Sequence, residues 1–268
     1  MSYRPQPSSV HGPYDPAFYA PLAKAEDRHF WFRVRNRIID VLVRQAVAKR
    51  PPRYRVLEAG CGTGNVLRVL EQACSGGRVV GMDFFAEALQ WARRRCACPL
   101  VQGALQTPPF GMSFDLIGLF DVLEHVDDDQ RALRDLHSLL KTDGVLLLTV
   151  PAHASLWSYW DEVCQHYRRY SVAELNGKLT QAGFQVEYLS QFMTLLYPLM
   201  WLRRKLRSTV LPGENEDGRR KLAEDELSII PGVNGLLEWM LRRESLLVER
   251  RRTLPIGTSL VALARKAA

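Results

Sequence analysis

Val56-Leu57-Glu58-Ala59-Gly60-Cys61-Gly62-Thr63-Gly64 is the stretch on which the fold turns, a short apolar run that stops in glycines at alternate positions. Such a run reads as a buried strand, and the residues that follow, Asn65-Val66-Leu67, open a segment with helical spacing. The glycines let the backbone turn sharply between the two and lie close to a ligand that a Cβ would push away. A glycine triplet alone is weak evidence, because a tight strand-to-helix turn explains it equally well. Asp83 strengthens it. It follows the next apolar run, Arg78-Val79-Val80-Gly81-Met82, about twenty residues on, where an acid accepts hydrogen bonds from ribose hydroxyls. Together the two features point to an adenosyl ligand. The run lacks the G-x-G-x-x-G of nicotinamide sites, and no Gly-Lys-Ser/Thr marks a phosphate loop.

Working outward, strand and helix patterns alternate. The spacing predicts helices over 66–73, 86–95 and 129–140, with strands over 78–82, 99–102, 114–120 and 145–150. Ser171-x-x-Glu174 is a capping box that opens a further helix ending near Gly183, before a strand over 185–189. Near-continuous apolar strands in repeated βα units imply a parallel sheet covered by helices on both faces. Ahead of this domain (51–191), Leu22, Phe30, Trp31, Val34, Ile38, Ile39 and Leu42 recur at helical spacing and predict a helical cap over 18–50, broken at Pro51-Pro52. Residues 1–17, rich in Pro, Ser and Tyr, read as a disordered lead. Residues 192–255 lose the rhythm and read as a helical insertion around a polar linker at 213–220. A last strand over 258–264, within 256–268, is expected to return to the sheet.

A composition of 47% apolar and 24% charged over 268 residues suits one globular core and excludes disordered or fibrous classes. The surplus of 36 Lys+Arg over 29 Asp+Glu attracts phosphate, anionic headgroups or nucleic acid without choosing among them. Five cysteines form no C-x-x-C pair, and an odd count argues against a disulfide framework, so a reducing cytoplasmic setting is expected. No signal peptide is evident, and no stretch reaches the ~20 apolar residues of a membrane span, so the chain is expected to be soluble or peripheral.

Three motifs, taken in order, resemble one superfamily. The stretch 56–64 resembles motif I of class I S-adenosylmethionine (SAM)-dependent methyltransferases, and Leu119-Phe120-Asp121-Val122-Leu123-Glu124-His125-Val126 resembles their post-strand-four motif. Leu139-Leu140-Lys141-Thr142-Asp143-Gly144 resembles their Leu-Lys-Pro-Gly-Gly turn, with Thr-Asp in place of Pro-Gly. The resemblance spans residues 54–190. It implies a Rossmann-like α/β fold with a seven-stranded, mostly parallel sheet in the order 3-2-1-4-5-7-6, SAM as donor and S-adenosylhomocysteine as product.

By this resemblance Gly60 and Gly62 lie under the methionine part of SAM, Glu58 and Cys61 are further cofactor-binding candidates, and Asp83 holds the ribose. Phe84 is a candidate to stack on adenine, with core packing as its alternative. The backbone at Gly103, Ala104 and Leu105 approaches the adenine, and Phe120 and Asp121 complete the cofactor residues. Many relatives carry an acid where Ala104 stands, so adenine recognition here is left to main chain or apolar packing. The lead helix carries Arg33 and Arg35; in similar enzymes an arginine from this helix reaches the SAM carboxylate, a pairing that suits a guanidinium. Arg35 is the first choice, and a solvated arginine face is the alternative.

Methyl transfer from a sulfonium is an in-line displacement, in which the enzyme mainly positions and desolvates the acceptor. A base is needed only for weakly acidic acceptors such as hydroxyls, and His125 and His166 are the catalytic candidates. His153, Trp157, Arg168, Arg169 and Tyr170 are the candidates to line an acceptor pocket, Trp160 being a further aromatic beside them. Stretches similar to His166-Tyr167-Arg168-Arg169-Tyr170 occur in methyltransferases acting on glycan, lipid or polyketide-like acceptors. Asp121-x-x-Glu124-His125 resembles the Glu-x-x-Glu-His to which a divalent metal is attributed in ubiquinone-biosynthesis O-methyltransferases. Glu-His in this place is also common in methyltransferases without metal, and none is expected.

The insertion holds two apolar segments with basic ends, 193–207 and 236–252. They suit a lid over a greasy substrate, a peripheral contact with the inner membrane face, or a dimer interface. The expected function is O-methylation of a small hydrophobic, glycan or lipid-linked acceptor. An RNA methyltransferase and a non-catalytic SAM-fold binding partner are the alternatives. Nucleic acid is not favoured, because Phe120-Asp121-Val122-Leu123 replaces the Asn/Asp-Pro-Pro-Tyr/Phe turn of amino-directed enzymes.

Overall fold

The computed structural model describes residues 19–207 and 227–267. The expected lead over 1–17, the linker 213–220 and the basic side chains of Arg203, Arg204, Lys205 and Arg207 lie outside the described residues. Helices α1 (Tyr19–Glu26) and α2 (Phe30–Val47) precede β1 (Arg55–Ala59), α3 (Asn65–Ala73), β2 (Arg78–Asp83), α4 (Ala86–Ala92) and β3 (Leu100–Gln102). There follow β4 (Phe114–Phe120), α5 (Asp129–Leu139), β5 (Leu140–Pro151), α6 (Tyr159–Val163), α7 (Val172–Gln181), β6 (Phe184–Phe192) and α8 (Leu196–Arg207). Helix α9 (Val233–Glu249) and β7 (Ser259–Lys266) close the described chain.

The sheet has seven strands in the order β3-β2-β1-β4-β5-β7-β6, as the motifs imply. β3, β2, β1, β4 and β5 run parallel, and β7 is antiparallel to both β5 and β6. Both faces are covered, which is why the strands read as unbroken apolar runs: every residue of β4 is buried. Successive residues serve opposite cores. Val56 and Leu147 join α2, α3 and α9 on one face, while Leu57, Leu146 and Leu148 join α5 and α7 on the other.

β5 begins at Leu140, earlier than its apolar pattern suggests, because Leu140 already pairs with Phe114 across a bulge. Within this irregular first part of β5, Asp143 takes φ 62°, a left-handed conformation that aspartate tolerates better than most residues. The Thr-Asp replacement is thereby accommodated.

Gly64 caps α3 in the left-handed region (φ 80°), and a Cβ there would lie 2.9 Å from the Ala92 Cα in the backbone of α4. Gly64→Ala is therefore expected to cost about 3 kcal/mol, combining left-handed strain with overpacking. Urea unfolding checks this, and a midpoint equal to that of the wild type would contradict it.

Candidate active site

The carboxyl ends of β1, β2 and β4 open onto a cavity of about 1290 Å³. Ligand sites for drug-sized molecules occupy roughly 300–1,000 Å³, so this one has room for two reactants. Its floor is the glycine turn. The Met82 carbonyl accepts from the amides of Gly60 (2.7 Å) and Cys61 (2.9 Å), which ties the loop to β2. The Gly62 amide donates to Asp83 Oδ2 at 2.7 Å, and the Phe85 amide to Asp83 Oδ1 at 2.9 Å. A carboxylate has about four acceptor positions, so Asp83, which also feels the Phe84 amide, keeps acceptor capacity for a further donor. Burial pushes its carboxyl above the usual range, and the amides that it accepts from pull it part of the way back.

The glycines differ in what surrounds them. A Cβ on Gly60 (φ 76°) would meet Val122 at 2.5 Å, whereas one on Gly62 (φ 52°) would meet nothing within 4 Å. Gly60 is a packing requirement, and Gly62 faces open space. Glu58 is buried behind the loop, and its Oε2 has no hydrogen-bond partner. Burial raises the Glu58 carboxyl well above the ordinary range, although Arg35 works against this.

Two helices close one side. Glu26 of α1 accepts from Arg95 Nη1 at 2.5 Å and from the Thr63 hydroxyl, so the cap is tied to the glycine loop itself. Arg35 is buried with its guanidinium over Trp31 and Phe32, and Nη1 meets Asp121 Oδ2 at 2.6 Å. Arg33 lies elsewhere, paired with Glu238 of α9 at 3.0 Å.

At the other end of the cavity stand Glu124, His125 and His166, each offering one ligand atom within 4.8 Å of the others. His125 is held at about 3 by desolvation, with the neighbouring His166 adding to it, so its ring is neutral. His166 has a different partner: its Nδ1 is 2.8 Å from Asp161 Oδ1. Burial alone would raise the Asp161 carboxyl, but the His166 hydrogen bond and the Arg169 guanidinium outweigh it and hold Asp161 at about 2. An ionised carboxylate only accepts, so Nδ1 donates to it, and in the neutral ring Nε2 is the nitrogen available as a base. Asp161 is placed by its capping box with Ser158 at the start of α6, and Arg169 Nε donates to the same oxygen at 2.7 Å. Glu124 Oε2 is buried without a partner, and burial together with Asp121 pushes its carboxyl well up.

The structure gathers Arg35, Glu58, Gly60, Cys61, Gly62, Asp83, Phe84, Gly103, Ala104, Phe120, Asp121, His125 and His166 around this cavity, with Leu105 and Trp160. Four acceptor candidates do not line it. Tyr170 is buried and its hydroxyl donates to Asp129 Oδ2 at 2.9 Å, while Arg168 pairs with the same carboxylate at 2.8 Å. His153 Nε2 hydrogen bonds Gln191 Oε1 at 2.6 Å, and Trp157 is 38% exposed outside the cavity. The polar atoms of Tyr170, Arg168 and His153 are thus engaged by other protein groups away from the cavity. Arg169 does line the cavity, but through its grip on Asp161. The sequence reading missed Asp161, for which Ser158-x-x-Asp161 is a readable signal, and missed Gln106 and Thr107, which border the cavity beside Ala104.

The residues present fit SAM. Open space lies over Gly62, Asp83 has free acceptor capacity for hydroxyls, the unpartnered Glu58 oxygen suits an ammonium, and Arg35 suits a carboxylate.

A family model for a methyltransferase domain matches residues 29–189. A Mycolicibacterium smegmatis protein named as a probable S-adenosylmethionine-dependent methyltransferase is 30% identical over 165 residues, 60% of this chain and 62% of that one. The malonyl-[acyl-carrier protein] O-methyltransferase of Enterobacter lignolyticus is 30% identical over 170 residues, 60% of this chain and 65% of its own. The chain thus spans less than two thirds of the length of these curated relatives. Among solved structures, a Haloferax volcanii protein in complex with the Trm112 methyltransferase activator superposes with a TM-score of 0.60 at 20% identity, over 97% of this chain and 100% of that chain, a likeness of fold.

Proposed function

The chain belongs to the methyltransferase-domain family, and from that premise we propose that it is a SAM-dependent methyltransferase that O-methylates a small hydrophobic or lipid-linked acceptor. SAM supplies an electrophilic methyl group on a sulfonium, and S-adenosylhomocysteine is left. Gly60, Cys61 and Gly62 with Glu58 and Arg35 are assigned to its amino-acid part. Asp83 takes the ribose, Phe84 with Gly103 and Ala104 flanks the adenine, and Phe120 and Asp121 border the methyl side. The observation that carries the O-directed reading is the Asp161–His166 pair in a cavity walled by Phe30, Trp31, Leu156, Trp160, Leu196 and Met200. Hydroxyls need a base to become nucleophiles, and His166 Nε2, oriented by Asp161, accepts that proton. The apolar wall desolvates the acceptor before transfer.

The RNA alternative has less support. Surfaces that track phosphates are polar and lined by Lys and Arg, whereas the mouth itself is apolar at Leu199, Ile230 and Val233, and the exposed arginines of α9 are interleaved with leucine and tryptophan. The test is incubation with methyl-labelled SAM and separate pools of extracted lipids and RNA, followed by mass spectrometry. Label entering a lipid or small apolar alcohol as an ether or ester supports the proposal, and label entering only RNA or an amine overturns it.

The raised carboxyls give a second expected result. Asp83 and Glu58 lie above their ordinary values, while an ammonium and ribose hydroxyls favour their charged forms, so SAM binding should release protons. Affinity should then strengthen as pH rises above the usual carboxylate range, by up to about tenfold per unit for one linked proton. Calorimetry in buffers of different ionisation enthalpy checks the release, and affinity that weakens with rising pH would contradict it.

A second reading has one observation in its favour, the convergence of Glu124, His125 and His166, in which a divalent cation would activate the hydroxyl. Asp121 is drawn away to Arg35, so the ligand set differs from the Asp121, Glu124 and His125 that sequence spacing suggests. Activity that survives EDTA dialysis favours the base; activity lost and restored by a divalent salt favours the cation.

A further inference from the structure

We propose that the outer faces of α8 and α9 form a docking surface for an anionic lipid leaflet, through which the acceptor reaches the cavity. The inference rests on the apolar-acceptor reading in that the surface is the mouth of the same cavity. Three residues belong to both: Leu199, Ile230 and Val233 line the cavity, yet are 64%, 60% and 50% exposed. The apolar lining therefore runs out of the cavity onto the surface at these three residues.

α9 has two apolar faces. Leu241 and Val248 are buried in the core face that holds α2. The opposite stripe, Val233, Leu236, Trp239, Leu246 and Leu247, remains exposed at helical spacing, and Trp201 and Leu202 on α8 are exposed as well. Monomeric proteins rarely expose a contiguous apolar patch of this kind without a partner.

Charge selects the partner. Arg242, Arg243, Arg250, Arg251 and Arg252 are all exposed on or beside this stripe, and the Arg243 guanidinium sits 3.8 Å from the Trp239 ring centroid. Of the acids on α9, Glu238 is paired with Arg33 and Glu244 is buried against the amides of Thr194 and Leu195, leaving Glu249. A dimer formed through this patch would bring two arginine-rich faces together. A leaflet of anionic headgroups neutralises them while its acyl boundary takes the tryptophans and leucines. Among the described residues no helix is long and apolar enough to cross a membrane.

Flotation with phosphatidylcholine vesicles, with and without phosphatidylglycerol, tests the proposal on the full chain. The wild type should bind the anionic vesicles about tenfold more than the neutral ones, and less in high salt. Leu236→Glu with Trp239→Glu, and separately Arg242→Glu with Arg243→Glu, should each lower that binding by about tenfold. These residues are exposed, so both variants should keep the wild-type unfolding midpoint and SAM affinity. A wild type that ignores anionic vesicles, variants that bind as well as the wild type, or sedimentation showing a dimer that the Glu variants dissociate would each overturn it. SAM titration on the same samples separates the two readings, because lost vesicle binding with intact SAM binding removes only the docking surface.

Discussion

Gly62→Ala should leave the protein folded and weaken SAM binding by about tenfold to a hundredfold, the equivalent of roughly 1–3 kcal/mol of overpacking. The new methyl meets no protein atom within 4 Å, so the fold bears only the left-handed strain of about 1 kcal/mol. The space it enters is the space assigned to the cofactor. Gly64→Ala, two residues on, should do the reverse in kind, since its Cβ strikes the α4 backbone. The pair thus separates a glycine kept for the ligand from one kept for the chain. Calorimetric titration beside urea unfolding reads both, and wild-type affinity in Gly62→Ala would remove the cradle from the site.

The other large effect is expected at His166. A positioned general base contributes about 10²–10⁴-fold, so His166→Ala should lower kcat by that range while SAM affinity stays near wild type. Its neighbour His125 should matter less as a base, because desolvation holds it at about 3 and its ring bonds to the Cys164 and Gln165 backbone. Partial rescue of His166→Ala by added imidazole would separate lost proton transfer from lost packing. A variant that keeps most of its kcat would show that the acceptor needs no base.

The fold was legible because parallel strands buried on both faces leave unbroken apolar runs, and because the turn after β1 must be made by glycine. The choice of Arg35 over Arg33 was also within reach of the helical period: Arg35 lies three and four residues before Ile38 and Ile39 on the buried stripe of α2, and Arg33 does not. The acceptor side was less legible. His166-Tyr167-Arg168-Arg169-Tyr170 is one polar, aromatic stretch in sequence, but its side chains diverge in the fold. His166 turns to Asp161 and the cavity, while Arg168 and Tyr170 turn to Asp129 on α5. In irregular backbone no period tells which way a residue faces. Which part of α8 and α9 lines the cavity likewise depends on long-range packing against α2.

A structure of the protein with S-adenosylhomocysteine bound bears most directly on the account. The nucleoside should lie between the glycine turn and β2, with its ribose hydroxyls on the Asp83 carboxylate and the sulfur facing His166. A nucleoside bound away from Asp83, or a sulfur turned from the apolar end of the cavity, would contradict it.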